Sequence, residues 1–210
     1  MNTSIKKWLF RPAEYIGAQK ALWIGIAAML ISGFINIFTH SHFDGVIDFH
    51  TGNVSDYSFQ AYLYEGFVDW LVFSLLLYIT GLIFSSSSIR IIDVMGMQAL
   101  ARCPFFLVSL LTLLLPHREV DEYLKSDMLK AATGTPIIVP IYEWIFFGLS
   151  ILLIIAIFVW TVILMYRAYS VSCNLKGEKG IISFIVVMLI AEGIIKYLFH
   201  LTGNYFLVKQ

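Results

Sequence analysis

The sequence predicts an all-α integral membrane protein: five transmembrane helices behind a short N-terminal interfacial segment. Three observations predict it. Hydrophobic residues make up 59% of the 210 and charged residues only 13%, about half the charged share of an ordinary soluble domain. The mean hydropathy is +0.81. The apolar residues are gathered into five runs, each near the ~20 residues that a helix needs to cross ~30 Å of hydrocarbon. A soluble enzyme is excluded on these grounds. With 14 basic and 14 acidic residues the formal charge is zero, and no basic patch stands out, so nucleic acid is not a partner; membrane lipids are, together with another membrane protein or a second copy.

Residues 1–20 form a predicted cytoplasmic N-terminal segment ahead of a transmembrane domain over residues 21–210. Within the segment, Ile5, Trp8 and Leu9 alternate with Lys6, Lys7 and Arg11, the pattern of a short helix lying in the inner interface, and Pro12 suits a restart of the chain. The first span runs from Ala21 to Phe38. Its basic flank mimics a signal peptide, but Asn36 to His42 offers no small-residue cleavage site, so the span is read as a retained anchor. The others are Phe67 to Phe84, Met95 to Leu115, Trp144 to Met165 and Ile181 to Phe199, each bounded by polar, Gly or Pro positions. Pro104 lies within the third span and predicts a bend there.

Lys and Arg set orientation. With the N-terminus inside, the inner segments hold eight (Lys6, Lys7, Arg11, Lys20, Arg90, Arg167, Lys176 and Lys179) and the outer ones four (Arg118, Lys125, Lys130 and Lys209). The N-terminus is therefore predicted inside and the C-terminus outside. In the outer loops, Ser55 or Asp56 is the expected N-cap of a helix leading into the second span, and Arg118 to Ala132 reads as a surface helix closed by Gly134 and Pro136. Aromatic and aliphatic residues in both loops, such as Phe43, Phe49, Tyr123 and Leu124, predict that the loops pack together as a cap. Trp23, Trp70, Trp144, Tyr166 and Tyr197 are expected to form interfacial belts. Asn53-Val54-Ser55 matches a glycosylation acceptor, and Ser85 to Ser88 reads as a polar turn.

The candidate functional residues are the ionisable groups inside spans, because a charge in hydrocarbon must be paired or used. They are Asp69, Arg102, Glu192 and Lys196. Counting depth from the predicted span ends pairs Arg102 with Glu192 in the interior and Asp69 with Lys196 at the outer rim. The histidines His40, His42, His50, His117 and His200 all fall on the predicted outer side. Near Asp44 and Asp48 they offer ligands for a divalent ion, but their spacing matches no standard metal motif. No zinc-helix, nucleophile-elbow or phosphate-loop signature is present, and no cofactor is expected. Cys103 and Cys173 do not form a disulfide framework.

Over nearly its whole length the chain resembles the Yip-domain family, named for eukaryotic members that interact with Ypt/Rab GTPases. The residues that carry the resemblance are Trp8-Leu9-Phe10-Arg11-Pro12, then Gly96 to Pro104 with its following leucines. A third stretch runs from Tyr166-Arg167-Ala168-Tyr169-Ser170 through Asn174-Leu175-Lys176-Gly177 to Gly180–Phe184, and is similar to the bacterial branch. The resemblance implies five spans with the N-terminus inside, in a bacterial cytoplasmic membrane. It supplies a fold and a location rather than a reaction. The leading expectation is thus a non-enzymatic scaffold or membrane-organising protein. The alternative is a small transporter or channel with a polar path near Arg102 and Glu192. A weaker one is an outer-face metal-binding module.

Overall fold

A computed structural model of the chain describes Lys7, residues 9–51, 58–114, Val120 and residues 140–206, with side chains as far as residue 202. Its helices are α1 (Ala18–Thr39), α2 (Phe59–Phe84), α3 (Ile91–Ala101), α4 (Phe105–Leu114), α5 (Ile141–Ser172) and α6 (Gly177–Phe206). Together α3 and α4 make one interrupted span, so five segments are long and apolar enough to cross a membrane. The protein is an all-α multi-pass membrane protein.

The sequence places every span, and every helix outruns its apolar run. Hydropathy marks only the stretch that suits hydrocarbon, whereas the backbone ladder continues into the interface as long as nothing stops it. α2 starts at Phe59, eight residues ahead of the apolar run at Phe67, so the helix expected to lead into the second span is continuous with it. Its N-cap is Ser58; Ser55 and Asp56 lie outside the described residues, as do the glycosylation acceptor and the predicted helix Arg118 to Ala132, save for Val120. α5 has 32 residues, or ~48 Å of helix against ~30 Å of hydrocarbon.

The Pro104 bend is a full break. Pro104 has no N–H to donate, and Arg102, Cys103 and Pro104 form a tight turn in which Phe105 N donates to Arg102 O at 3.0 Å and Cys103 N donates to Leu100 O at 3.1 Å. These short-range bonds satisfy carbonyls that an unbroken α-helix would have satisfied. The interrupted span is also the centre of the bundle: 56% of its most apolar stretch is buried, against 17% for α5. α3 packs on α1, α2 and α5, while α2 also packs on α6. The contact with α1 is close because Gly25 has no side chain; a Cβ there would overlap the backbone of Ala99.

At the N-terminus, helical backbone at Leu9 and Phe10 leads into a 3₁₀ turn at Pro12–Glu14 with Pro12 in its first position. Trp160 Nε1 donates to Leu9 O at 3.0 Å and ties this segment to α5. Ile5, Lys6 and Trp8 lie outside the described residues. The belt reading fits Trp23 and Tyr197, which are exposed. It fails for Trp70, which is buried and donates to Met95 O at 3.0 Å. With α2 starting eight residues ahead of the apolar run, Trp70 lies well inside the helix instead of at its end.

The α1–α2 connection is structured. After the left-handed cap at His40 (φ 50), strands β1 (Ser41–His42) and β2 (His50–Thr51) pair antiparallel, with His42 opposite His50. The chain between them folds back into the bundle. Phe43 and Val46 are buried in the core, and Phe43 lies 5.1 Å from Phe105, centroid to centroid. Irregular backbone at this position is tolerated because protein, not lipid, surrounds it. Of the second predicted cap loop, His117 to Glu143, the described residues are Val120, which is buried, and residues 140–143, which lead into α5.

Candidate functional site

The polar residues converge beneath this loop. α2 presents Glu65 and Asp69 one turn apart, both buried, because residues four apart share a helix face. His42 Nδ1 and Glu65 Oε1 are hydrogen bonded at 2.9 Å, and His42 stacks on Tyr62 at 4.9 Å and on His50 at 5.3 Å. With Glu65 ionised, the Nδ1 proton is the one shared.

One helical turn deeper, Asp69 Oδ2 and Arg102 Nη1 form an ion pair at 3.8 Å, with the side chains 0% and 3% exposed. The break at Pro104 places Arg102 at the end of α3, with its guanidinium 5.9 Å from the Phe105 ring centroid.

Neither predicted pair forms. Arg102 has Asp69, not Glu192, within ion-pair distance among the described residues, and Lys196 pairs with Asp44 at 2.9 Å and with Asp48 rather than with Asp69. The cause is that the depth count starts at Phe67, the edge of the apolar run, and not at the start of α2. From Phe59, Asp69 lies about 15 Å along the helix instead of about 3 Å, level with Arg102 at about 17 Å from the opposite end of its span. Glu192 instead serves the loop: its Oε2 accepts a hydrogen bond from Val46 N at 2.7 Å. A Cβ at Gly45 would overlap the Glu192 carboxylate, so a larger residue there would make that side chain shift away from Val46 N.

Nearer the surface, Asp44, Asp48 and His50 bring ligand atoms within 4.8 Å of one another. Among the described residues this is the one place where the metal reading acquires geometry, and the residues fit a metal poorly, because the Lys196 ammonium already pairs with both carboxylates. His50 Nδ1 lies 3.4 Å from Asp44 Oδ1. Hydrogen bonding to Asp44 raises the His50 pKa, against the lowering effect of burial. Burial pushes the Asp44 carboxyl up, but its bonds with His50 and Lys196 outweigh this and hold it at about 2.

Five carboxylates (Asp44, Asp48, Glu65, Asp69 and Glu192) thus meet two permanent cations, Arg102 and Lys196, and two imidazoles. Acid is in excess, so the cluster attracts protons or cations rather than anions. His42 is buried rather than interfacial. The roles of His42, Glu65, Asp44 and Asp48 were missed by the sequence reading. One signal was available: Phe43, Val46, Ile47 and Phe49 are interleaved with Asp44 and Asp48, too apolar a run to remain in water.

No protein-family model, curated protein or solved structure matches this chain.

Proposed function

We propose that this membrane protein is a non-enzymatic scaffold or membrane-organising partner rather than a conduit. The observation that carries the reading is the filled interior. The cavity at Arg102 has a volume of about 30 Å³, and on the side away from the loop Phe73, Leu77, Val94, Met165, Tyr169 and Phe184 close the bundle. Solute passing through would have to displace this packed core. Concave space lies on the outside, as an open groove of about 730 Å³ beside the starts of α1 and α3, lined by Lys20, Trp23, Arg90 and Asp93 among others.

The Yip-domain resemblance belongs to the same proposal. Structural reasons exist for several of the residues that carry it. A Cβ at Gly96 would overlap the Ala18 carbonyl, and Asn174 and Gly177 take positive φ values of 50 and 65 in the turn between α5 and α6. Placement in a bacterial cytoplasmic membrane with the N-terminus inside rests on that resemblance and on the Lys and Arg count.

The carrier reading keeps one supporting observation, the buried Asp69–Arg102 pair whose polar atoms are incompletely satisfied. Reconstitution into liposomes with a trapped pH- or cation-sensitive dye separates the two. The scaffold reading expects leak no faster than from empty liposomes. Flux that depends on Asp69 would overturn it. Impermeant thiol labelling in sealed cells, with Cys103 and Cys173 replaced, should reach Ser55→Cys and miss Ser87→Cys and Lys176→Cys.

A further inference from the structure

The pair at mid-depth is built around unused hydrogen-bonding capacity. Arg102 is 3% exposed, and its Nε and Nη2 have no hydrogen-bond partner among the described residues. Asn36, on α1, is also 3% exposed, and its Oδ1 is equally without a partner. Both line the cavity between α1, α2 and the α3–α4 break, together with Ser32, Phe43, Tyr62 and Phe105. Ser32 spends its hydroxyl proton on Ala28 O at 2.9 Å, which leaves its oxygen free to accept. Leaving groups of this kind buried without a partner is costly, and more so when they are charged.

We infer that this cavity is an internal hydration site, holding one or two water molecules between Arg102, Asn36 and Ser32 at mid-depth in the bundle. The volume of about 30 Å³ admits that number, since a water needs roughly 10–15 Å³ of such space and two to four polar partners. The donor and acceptor pattern fits water. Arg102 Nε–H and Nη2–H donate to the water oxygen, and its two hydrogens go to Asn36 Oδ1 and Ser32 Oγ. An anion would find donors on Arg102 but an acceptor on each remaining wall, with the Asp69 carboxylate behind. A metal cation would face the guanidinium. Water also accounts for the loose geometry of the ion pair: at 3.8 Å Asp69 and Arg102 attract each other without a direct hydrogen bond, and solvation of the remaining guanidinium N–H groups offsets the cost of burying them.

The test is water-to-protein polarisation transfer by solid-state NMR on the full chain in lipid bilayers. Gln98 is the internal control, a buried amide one turn before Arg102 on α3 that does not line the cavity and whose Nε2 donates to Met165 O at 3.0 Å. Transfer to the Arg102 guanidinium and the Asn36 amide should build up several-fold faster than to Gln98, and close to the rate at His50. Build-up at Arg102 as slow as at Gln98 would overturn the site. Asn36→Leu, similar in size but with no acceptor, should slow transfer to Arg102 several-fold, and an unchanged rate in a folded variant would also count against it. If that variant does not fold, the comparison within the native chain decides alone.

Discussion

On one side of Arg102 the bundle is closed by Phe73, Leu77, Val94, Met165, Tyr169 and Phe184. Its polar contacts there are single and neutral, such as Gln98 to Met165 O and Tyr169 to Ser183 at 3.0 Å. On the other side, the carboxylates of Glu65, Asp69 and Glu192 and the cations Arg102 and Lys196 lie under a loop that enters the bundle and itself carries two carboxylates and two imidazoles. The apolar half is held by close packing and tolerates the loss of one hydrogen bond. The polar half is held by mutual neutralisation, so each group depends on its partner. What joins the halves is the break at Pro104, which ends α3 where Arg102 meets Asp69.

The largest expected effect is in the polar half. Arg102→Leu or Asp69→Leu alone strands a buried charge and should cost about 3–5 kcal/mol, whereas the double substitution should cost less than either single one. Unfolding in mixed micelles with increasing denaturing detergent measures it. A double variant as unstable as the two singles added together would mean that the pair is not the unit of stability.

How much of this was legible is clearest at α2. Pro104 marks a bend where the fold has a full break, and five spans and the four intramembrane ionisable residues follow from apolar run length and from the cost of charge in lipid, both local properties. The partners do not. A depth count depends on where a span is taken to begin: helix is expected from Ser55 or Asp56 onward, but the apolar run is cut at Phe67 because Tyr62, Tyr64 and Glu65 are polar by composition. In the fold Tyr62 and Glu65 are buried against the connection between α1 and α2, so a tertiary contact that hydropathy does not encode takes this stretch of helix into the bundle. The same error moved Asp69 and Trp70 to the rim.

A smaller effect tests the loop's insertion. Gly45→Ala should cost about 1–3 kcal/mol, as overpacking does, because the new methyl meets the Glu192 carboxylate. Gly66→Ala has open space around its Cβ and should be neutral or stabilising by up to about 1 kcal/mol. Hydrogen exchange over residues 41–51 should rise in the first and stay unchanged in the second. Equal exchange in both would mean that Glu192 does not hold the loop in place.

In the apolar half, Gln98→Leu removes the bond to Met165 O together with Oε1, which has no hydrogen-bond partner among the described residues. The two losses nearly offset, so the change should stay within about 1 kcal/mol. Glu65→Leu, an equally buried polar-to-apolar change, should be clearly worse because it strips His42 of its carboxylate. Similar melting temperatures for these two variants would erase the proposed contrast between the halves.

The smallest effect is a pH dependence confined to the loop's rim, where His50 faces Asp44, with Asp48 and Lys196 beside them. The His50 pKa is raised in the folded protein, so its stabilisation is complete below the unfolded value of about 6.5 and is lost as pH rises through the folded one. The Asp44 pKa is lowered to about 2, so its contribution is present above its unfolded value of about 4 and is lost as pH falls through the folded one. The rim should therefore be tightest between roughly pH 4 and 6.5 and loosen at alkaline pH. The His50 side chain is half exposed, so solvent screens the interaction and the loosening stays local. Amide exchange over residues 41–51, corrected for its intrinsic pH dependence, should show lower protection at pH about 9 than at about 5.5, and His50→Gln should abolish the difference. Lys196 still pairs with Asp44 and Asp48 at the higher pH, so the loop should stay docked. Protection that is the same at both values in the native chain would assign the rim to Lys196 alone.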